Sequence, residues 1–189
     1  MELRSARVEE AGALAELAWA AKASWGYAPA QLERWREGLS PSGASIAAQP
    51  TFVAEVDQRL AGFCQLELQA RPVELEHLWV HPRFTGQGVG RALLVRCLRD
   101  LAALGVEALH VDSDPNAEPF YVACGAVRVG EVAAPIEGHP GRVRPQLRFS
   151  TGNLTPASSG QAQAGPDCTG KVPALQEGRL SRKVGHGTG

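Results

Sequence analysis

The sequence predicts an α/β domain, with helices covering one mixed (α+β) sheet, and an unstructured tail behind it. Three observations carry this. Short apolar runs between residues 51 and 80 are separated by turn residues and read as strands. A strongly amphipathic helix follows a glycine-rich loop near residue 90. Composition then changes abruptly near residue 150.

Taken in order, residues 2–8 form a short first strand. From 9 to 22, Ala13, Leu14, Leu17, Ala18 and Ala21 recur at helical spacing. Ser24-Trp25-Gly26-Tyr27 makes a compact aromatic turn, and a second helix runs over 29–37, with Pro29 suited to a first helical turn. Ser40-Pro41-Ser42-Gly43 is loop. Residues 51–56 and 60–69 are strands joined by Asp57-Gln58-Arg59 as a hairpin. After Arg71-Pro72, a strand over 73–80 places Val73, Leu75 and His77 on one face and Glu74, Glu76 and Leu78 on the other.

The helix after the glycine-rich loop buries Leu93, Leu94, Cys97, Leu98, Leu101 and Leu104 and turns Arg91, Arg96, Arg99 and Asp100 outward, and Gly105 closes it. A strand over 107–111 follows, then a short helix begun by Asp114-Pro115-Asn116 and stopped at Gly125. Strands over 126–132 and 144–149 complete the order β-α-α-β-β-β-α-β-α-β-β.

This gives one domain over 1–150. The segment 151–189 has no aromatic residue, eight glycines in 39 positions and only isolated aliphatics. It cannot bury enough apolar surface to offset the entropy of ordering it, and is expected to be a disordered tail.

The bulk numbers narrow the function classes. With 19 basic and 20 acidic residues the chain lacks the basic footprint of a nucleic-acid binder, so no nucleic-acid partner is expected. No apolar stretch is long enough to span a membrane, and none is expected to bind one. Met1-Glu2-Leu3-Arg4-Ser5 lacks the pattern of a secretory signal, which favours the cytoplasm. Cys64, Cys97, Cys124 and Cys168 form no C-x-x-C pair and the five histidines are scattered, so no metal site or disulfide framework is expected. The thiols read as buried and free.

The loop Thr85-Gly86-Gln87-Gly88-Val89-Gly90 carries chemistry. Glycines let the backbone turn tightly and approach a ligand. A helix N-terminus offers unpaired N–H groups and partial positive charge, which together suit a pyrophosphate. A Walker loop would end in Gly-Lys-Ser/Thr, whereas here Gly90 is followed by Arg91-Ala92. A dinucleotide fingerprint needs a third glycine where Arg91 stands, although Asp112 lies at about the right distance.

The dinucleotide reading and a loop that is merely glycine-rich stay open, and a third option is an acetyl-CoA loop. Leu78-Trp79-Val80-His81-Pro82 and then Gly86-Gln87-Gly88-Val89-Gly90-Arg91-Ala92-Leu93-Leu94 resembles the central motif of the GNAT acetyltransferases. Asn116, Phe120-Tyr121 and Cys124-Gly125-Ala126 are similar to that family's next motif. The resemblance covers residues 2–149 and rests mainly on 70–127. Gly130-Glu131-Val132 and Pro140-Gly141-Arg142-Val143 resemble a group of small bacterial members. Thr85 departs from the Arg or Gln usual there, which weakens one pyrophosphate contact.

The resemblance implies an N-acetyltransferase with acetyl-CoA as co-substrate and no metal, acting on a primary amine of a small molecule or peptide by direct attack in a ternary complex. The alternative is a catalytically silent acyl-CoA-binding or sensor module, which would keep the glycine loop and lose the acid and base. By resemblance, the amides of Gly86, Gln87, Gly88, Val89, Gly90 and Arg91 hold the pyrophosphate. The backbone of Leu78, Trp79 and Val80 pairs with the pantetheine arm where the sheet splays open, and an N–H near Val80 polarises the thioester carbonyl. Asn116 hydrogen-bonds the arm.

Tyr121 is the implied general acid, since a phenol with a reference pKa of about 10 stays protonated and a leaving thiolate, whose thiol has one of about 8.5, readily accepts a proton. Glu74 is the implied base, and Glu76 is the alternative, directly or through water. Packing is the competing reading for Tyr121, a helix cap for Asn116, and solvated edge charges for the two glutamates. Such domains receive acceptors near the first helical pair, here Trp19, Trp25, Tyr27 and Trp35, with Arg83, Arg142 and Arg144 favouring an acidic group. A homodimer is one implied assembly, which no residue here decides.

Overall fold

Seven strands join in one sheet of order β1-β2-β3-β4-β5-β7-β6 in the computed structural model, which describes residues 1–152. They are β1 (Glu2–Ser5), β2 (Thr51–Val56), β3 (Arg59–Glu67), β4 (Glu74–Val80), β5 (Ala108–Asp112), β6 (Val127–Ala133) and β7 (Val143–Ser150). The helices are α1 (Ala11–Ala23), α2 (Pro29–Trp35), α3 (Gly43–Ala48), α4 (Val89–Ala103) and α5 (Glu118–Ala123). Neighbouring strands are antiparallel except β4 and β5, which are parallel.

The expected element order holds with one addition. Helix α3 occupies a stretch that reads as loop, and Ser42 caps it by accepting from the Ser45 amide at 3.0 Å. Only Ile46 of its six residues is a buried large side chain, so no periodicity announces it. The first strand is shorter than expected because residues 8–10 turn into a 3-10 helix. Leu104 also departs from expectation: it is the C-cap of α4 and exposed. Gly105 follows at φ 72°.

Two apolar layers sandwich the sheet. One joins α4 and α5 to the sheet through Leu93, Leu94, Cys97 and Leu101 with Phe52, Cys64 and Leu75. The other joins α1 and α3 through Leu14, Leu17 and Ile46 with Val53 and Phe63. Gly62 sits where α4 closes on the sheet. A Cβ there would meet the Trp79 carbonyl oxygen at 2.7 Å and the Val89 side chain at 2.9 Å, so only glycine allows this approach.

The expected alternation on β4 is broken. Gln65 pairs with His77 but Leu66 pairs with Leu75, leaving Glu76 as an extra residue. Leu75 and Leu78 therefore both pack on the α4 side. His77 falls on the opposite face, its ring 6.2 Å from that of Phe63, instead of sharing a face with Leu75.

The tail expected over 151–189 lies outside the described residues except for its first two. Thr151 belongs to the folded part: its amide donates to the Glu107 carbonyl at 3.0 Å and its hydroxyl to that of Val106. The domain thus runs past residue 150. Cys64 and Cys97 are buried free thiols with their Sγ atoms 3.2 Å apart, Cys124 is half-buried, and Cys168 lies outside the described residues.

Candidate active site

Strands β4 and β5 pair at one register position only, Glu74 with His110, beside a bond from the His110 amide to the Val73 carbonyl at 2.9 Å. Beyond it they diverge. The His81 amide donates to Ala61 on the β3 side at 2.9 Å. Strand alternation then turns the peptide groups of Trp79 toward β3 and those of Val80 and Leu78 toward the opening.

Helix α4 begins beside this opening. Gly86 and Gly88 hold φ values of 80° and 78°, and Gly88 is the N-cap. A side chain at either position would strain the backbone. The first helical bond from this cap runs from the Ala92 amide to the Gly88 carbonyl at 3.0 Å, so the amides of Val89 and Gly90 have no acceptor within the helix. Gln87 braces the loop by donating to the Arg83 carbonyl at 3.0 Å. Gly90 lies between Phe120 and Val80, where a Cβ would meet each at about 3.3 Å, which ties the helix start to α5 and β4. Open space surrounds Gly86 and Gly88, as a cradle for an anion requires. Thr85 and Arg83 are exposed on the same loop.

Tyr121 is on the α4 side and 6% exposed, with ring contacts to Phe120 and Phe149 at 5.1 and 6.3 Å. Its hydroxyl makes no hydrogen bond to a described residue. Burial first, and the nearby Cys64, Cys97 and Cys124 second, raise its pKa. Glu74 faces Glu67 across the β3–β4 pair. Glu76, at the bulge, has its carboxyl pKa raised by burial first and then by Glu74, Glu67 and Asp112. His77 is held neutral by burial, with its pKa lowered to about 4.

Asn116 is not the cap of α5, a place taken by Ala117. Its side-chain amide donates to the Tyr27 hydroxyl and to Asp114 Oδ1, both at 3.0 Å, leaving its own Oδ1 for a ligand.

Sequence reasoning missed the group to which Asn116 belongs. Lys22 of α1 meets Asp114 at 2.6 Å, and Arg142 meets the same carboxylate at 3.0 Å. These three side chains are 8%, 7% and 9% exposed. The Lys22 ammonium lies over the rings of Trp35, Trp25, Tyr27 and Trp79 at 4.6, 4.8, 5.0 and 5.8 Å. Burial lowers the Lys22 pKa against the pull of Asp114. Burial also works against the Asp114 carboxylate, yet Lys22, the Asn116 amide and Tyr27 outweigh it and lower its pKa. Trp79 Nε1 and Arg142 Nε are buried N–H groups without a hydrogen-bond partner among the described residues. One signal was available: Lys22 follows Leu14 and Ala18 at four-residue spacing, on the buried stripe of its helix.

A cleft of about 630 Å³ borders this group, lined by Trp25, Tyr27, Pro115, Asn116, His139 and Arg142 among others. A smaller cavity of about 410 Å³, at the other end of β5 near Gly105 and Thr151, touches none of these residues. The other expected acceptor-side residues stand apart. The guanidinium of Arg36 covers Trp19, 3.9 Å from its ring centroid, and Arg144 pairs with Asp112 at 2.9 Å.

The glycine-started helix beside a split sheet is the decisive arrangement, and the acetyltransferase (GNAT) domain family matches residues 24–134. The chain belongs to the GNAT acetyltransferase family. Similar solved structures agree in fold. A GCN5-related N-acetyltransferase from Rhodopseudomonas palustris is 26% identical, with 79% of this chain and 94% of that one covered at a TM-score of 0.66. The PaiA N-acetyltransferase from Thermoplasma acidophilum, solved with coenzyme A, is 19% identical, covering 79% and 98% at 0.64. The ribosomal-protein-S18-alanine N-acetyltransferase from Escherichia coli is 18% identical, covering 88% and 97% at 0.58. The last two speak for the fold alone. In this GNAT acetyltransferase, Tyr121 packs in the layer on the α4 side of the sheet, and the Lys22–Asp114–Arg142 group lies beside Trp79 of β4.

Proposed function

We propose that this acetyltransferase moves the acetyl group of acetyl-CoA onto a primary amine, by direct attack with both substrates bound. The observation that carries the reading is the parallel pair β4–β5, joined at Glu74 and His110, opening beside a glycine-capped helix whose Val89 and Gly90 amides have no acceptor within the helix. The donor's pyrophosphate would lie on the amides of Gly86 to Arg91, and its arm along Leu78, Trp79 and Val80. Asn116 Oδ1 is the acceptor available to an N–H of that arm.

The chemistry follows from what faces the opening. The Val80 N–H would stabilise charge growing on the thioester oxygen. The amine nitrogen bonds to the carbonyl carbon and the carbon–sulfur bond breaks; the departing thiolate takes the Tyr121 proton, and the proton that the nitrogen sheds on becoming an amide restores the Tyr121 hydroxyl through solvent. An amine must first lose a proton, since its usual pKa is about 8 for an α-amine and about 10.4 for a lysine. Glu74 and Glu76 are both near the opening. The raised pKa of Glu76 makes it the better matched proton acceptor, directly or through water.

Calorimetric titration of acetyl-CoA into the full chain, beside desulfo-CoA and NAD, tests the reading. Micromolar binding of acetyl-CoA without NAD binding, lost in a folded Gly88→Asp variant, is expected, together with thiol release when an amine is added. Tight acetyl-CoA binding by that variant would remove the phosphate-cradle assignment. Binding without turnover of any amine would leave an acyl-CoA sensor instead of an enzyme.

A further inference from the structure

The geometry points to an acceptor amine that carries a carboxylate, bound in the cleft between Trp25, Tyr27, His139 and Arg142, with Arg142 as the residue that selects it. This deepens the proposed function and rests on that cleft being the acceptor site. The cleft abuts Asn116 and the aromatic group around Trp79, which places it on the α1 side of the β4–β5 opening. Its volume falls within the range of about 300–1,000 Å³ usual for small-molecule sites.

Charge decides the class of ligand. A cationic acceptor such as a polyamine needs an aromatic box and a free carboxylate. Both exist here, and both are taken by the chain itself. The Lys22 ammonium fills the box of Trp25, Tyr27, Trp35 and Trp79. Asp114 accepts from Lys22 Nζ, Arg142 Nη2, the Tyr27 hydroxyl, the Asn116 backbone amide and the Asn116 side chain. Five donors saturate a carboxylate, which offers about four lone-pair sites. Among the described residues, no acidic side chain lines the cleft.

Among the described residues, the buried side-chain groups left without a partner are both donors. Two buried cations share one anion, so the group has an excess positive charge. Of the two buried N–H groups without a partner among the described residues, Arg142 Nε belongs to a residue that lines the cleft, and Trp79 Nε1 lies behind the cleft wall at Trp25. A ligand carboxylate supplies acceptors and cancels the charge. The rings of Trp25 and Tyr27 and the face of Pro115 provide apolar walls, which fits an acceptor of amino-acid or dipeptide size with an apolar side chain.

Tryptophan fluorescence of the full chain reads this directly, because Trp25 lines the cleft. The probes are N-acetyl-L-phenylalanine as the anionic product analogue, its neutral amide, and spermidine. We expect the anion to bind at least about tenfold more tightly than the amide, equivalent to about 1.4 kcal/mol. Arg142→Gln should abolish that preference and Arg142→Lys should keep part of it. Equal or tighter binding of the amide or of spermidine to the wild-type chain would overturn the inference, with no variant required. So would silence from all three probes. In either case acetyl-CoA binding and amine turnover, measured separately, still judge the proposed function on its own.

Discussion

The two faces of β4 are held by different physics. On the α4 face, Leu75, Leu78 and Val80 meet Leu93, Leu94 and Leu101 in a dry layer, and the attraction is burial itself, which has no direction and little pH dependence. On the α1 face, His77 packs by Phe63, and Trp79 meets a group in which the side chains of Lys22, Asp114 and Arg142 are shut away, bonded to half-buried Tyr27 and exposed Asn116. Each charge there is tolerable only because the others are in place. The first face positions a helix. The second spends stability on arranging charge at the opening, which is the pattern expected where a ligand is recognised.

The largest test strikes the charged face. Asp114→Asn leaves Lys22 and Arg142 without their shared anion and should cost about 3–5 kcal/mol in denaturant unfolding. Lys22→Met in that background should recover part of the loss. A cost below 1 kcal/mol would mean that the group is solvated and the contrast between the faces is false.

Next comes pH. The folded pKa of His77 is near 4, below the usual unfolded value of about 6.5. As pH falls through 6.5 the unfolded chain takes up the proton first. Stability from this site is therefore complete above pH 6.5 and is lost between about 6.5 and 4, on the order of 3 kcal/mol in all. His77→Gln should flatten the unfolding free energy over that window, and an unchanged slope would assign the loss to other groups.

The apolar face breaks sterically. Gly62→Ala brings a methyl against the Trp79 backbone and Val89 and should cost about 1–3 kcal/mol at every pH from 5 to 8. A neutral result would show that α4 can slide. Tyr121, on the same face, should give the smallest effect on stability. Tyr121→Phe deletes a hydroxyl that bonds to no described residue, so unfolding should shift by less than about 0.5 kcal/mol. The kcat for acetyl transfer should still fall about tenfold or more with acetyl-CoA binding retained. Unchanged kcat would return Tyr121 to packing alone.

These residues differ in how far the sequence announced them. Helix α4 and its glycine loop were legible because a stripe of leucines and a run of glycines are local signals, and the positive φ at Gly86 and Gly88 follows from residue type. Strands β2 and β3 were legible from alternation and a turn. Helix α3 was not, since Gly-Ala-Ser-Ile-Ala-Ala shows no periodic apolar face. The face of His77 was misread because one extra residue, Glu76, reverses everything after it, and no residue type marks a bulge.

By itself, then, the sequence determined the mixed α/β order, the glycine loop that starts α4 and the family resemblance, because each depends on residues within a few positions of one another. Only the tertiary structure decided the partners of Lys22. Asp114 lies 92 positions away and Arg142 a further 28. A lysine at the end of an amphipathic helix is ordinarily a solvated charge. It becomes a buried one here because the chain brings four aromatic rings and a carboxylate around it, and the free energy of a buried charge is set by such neighbours and not by its own identity.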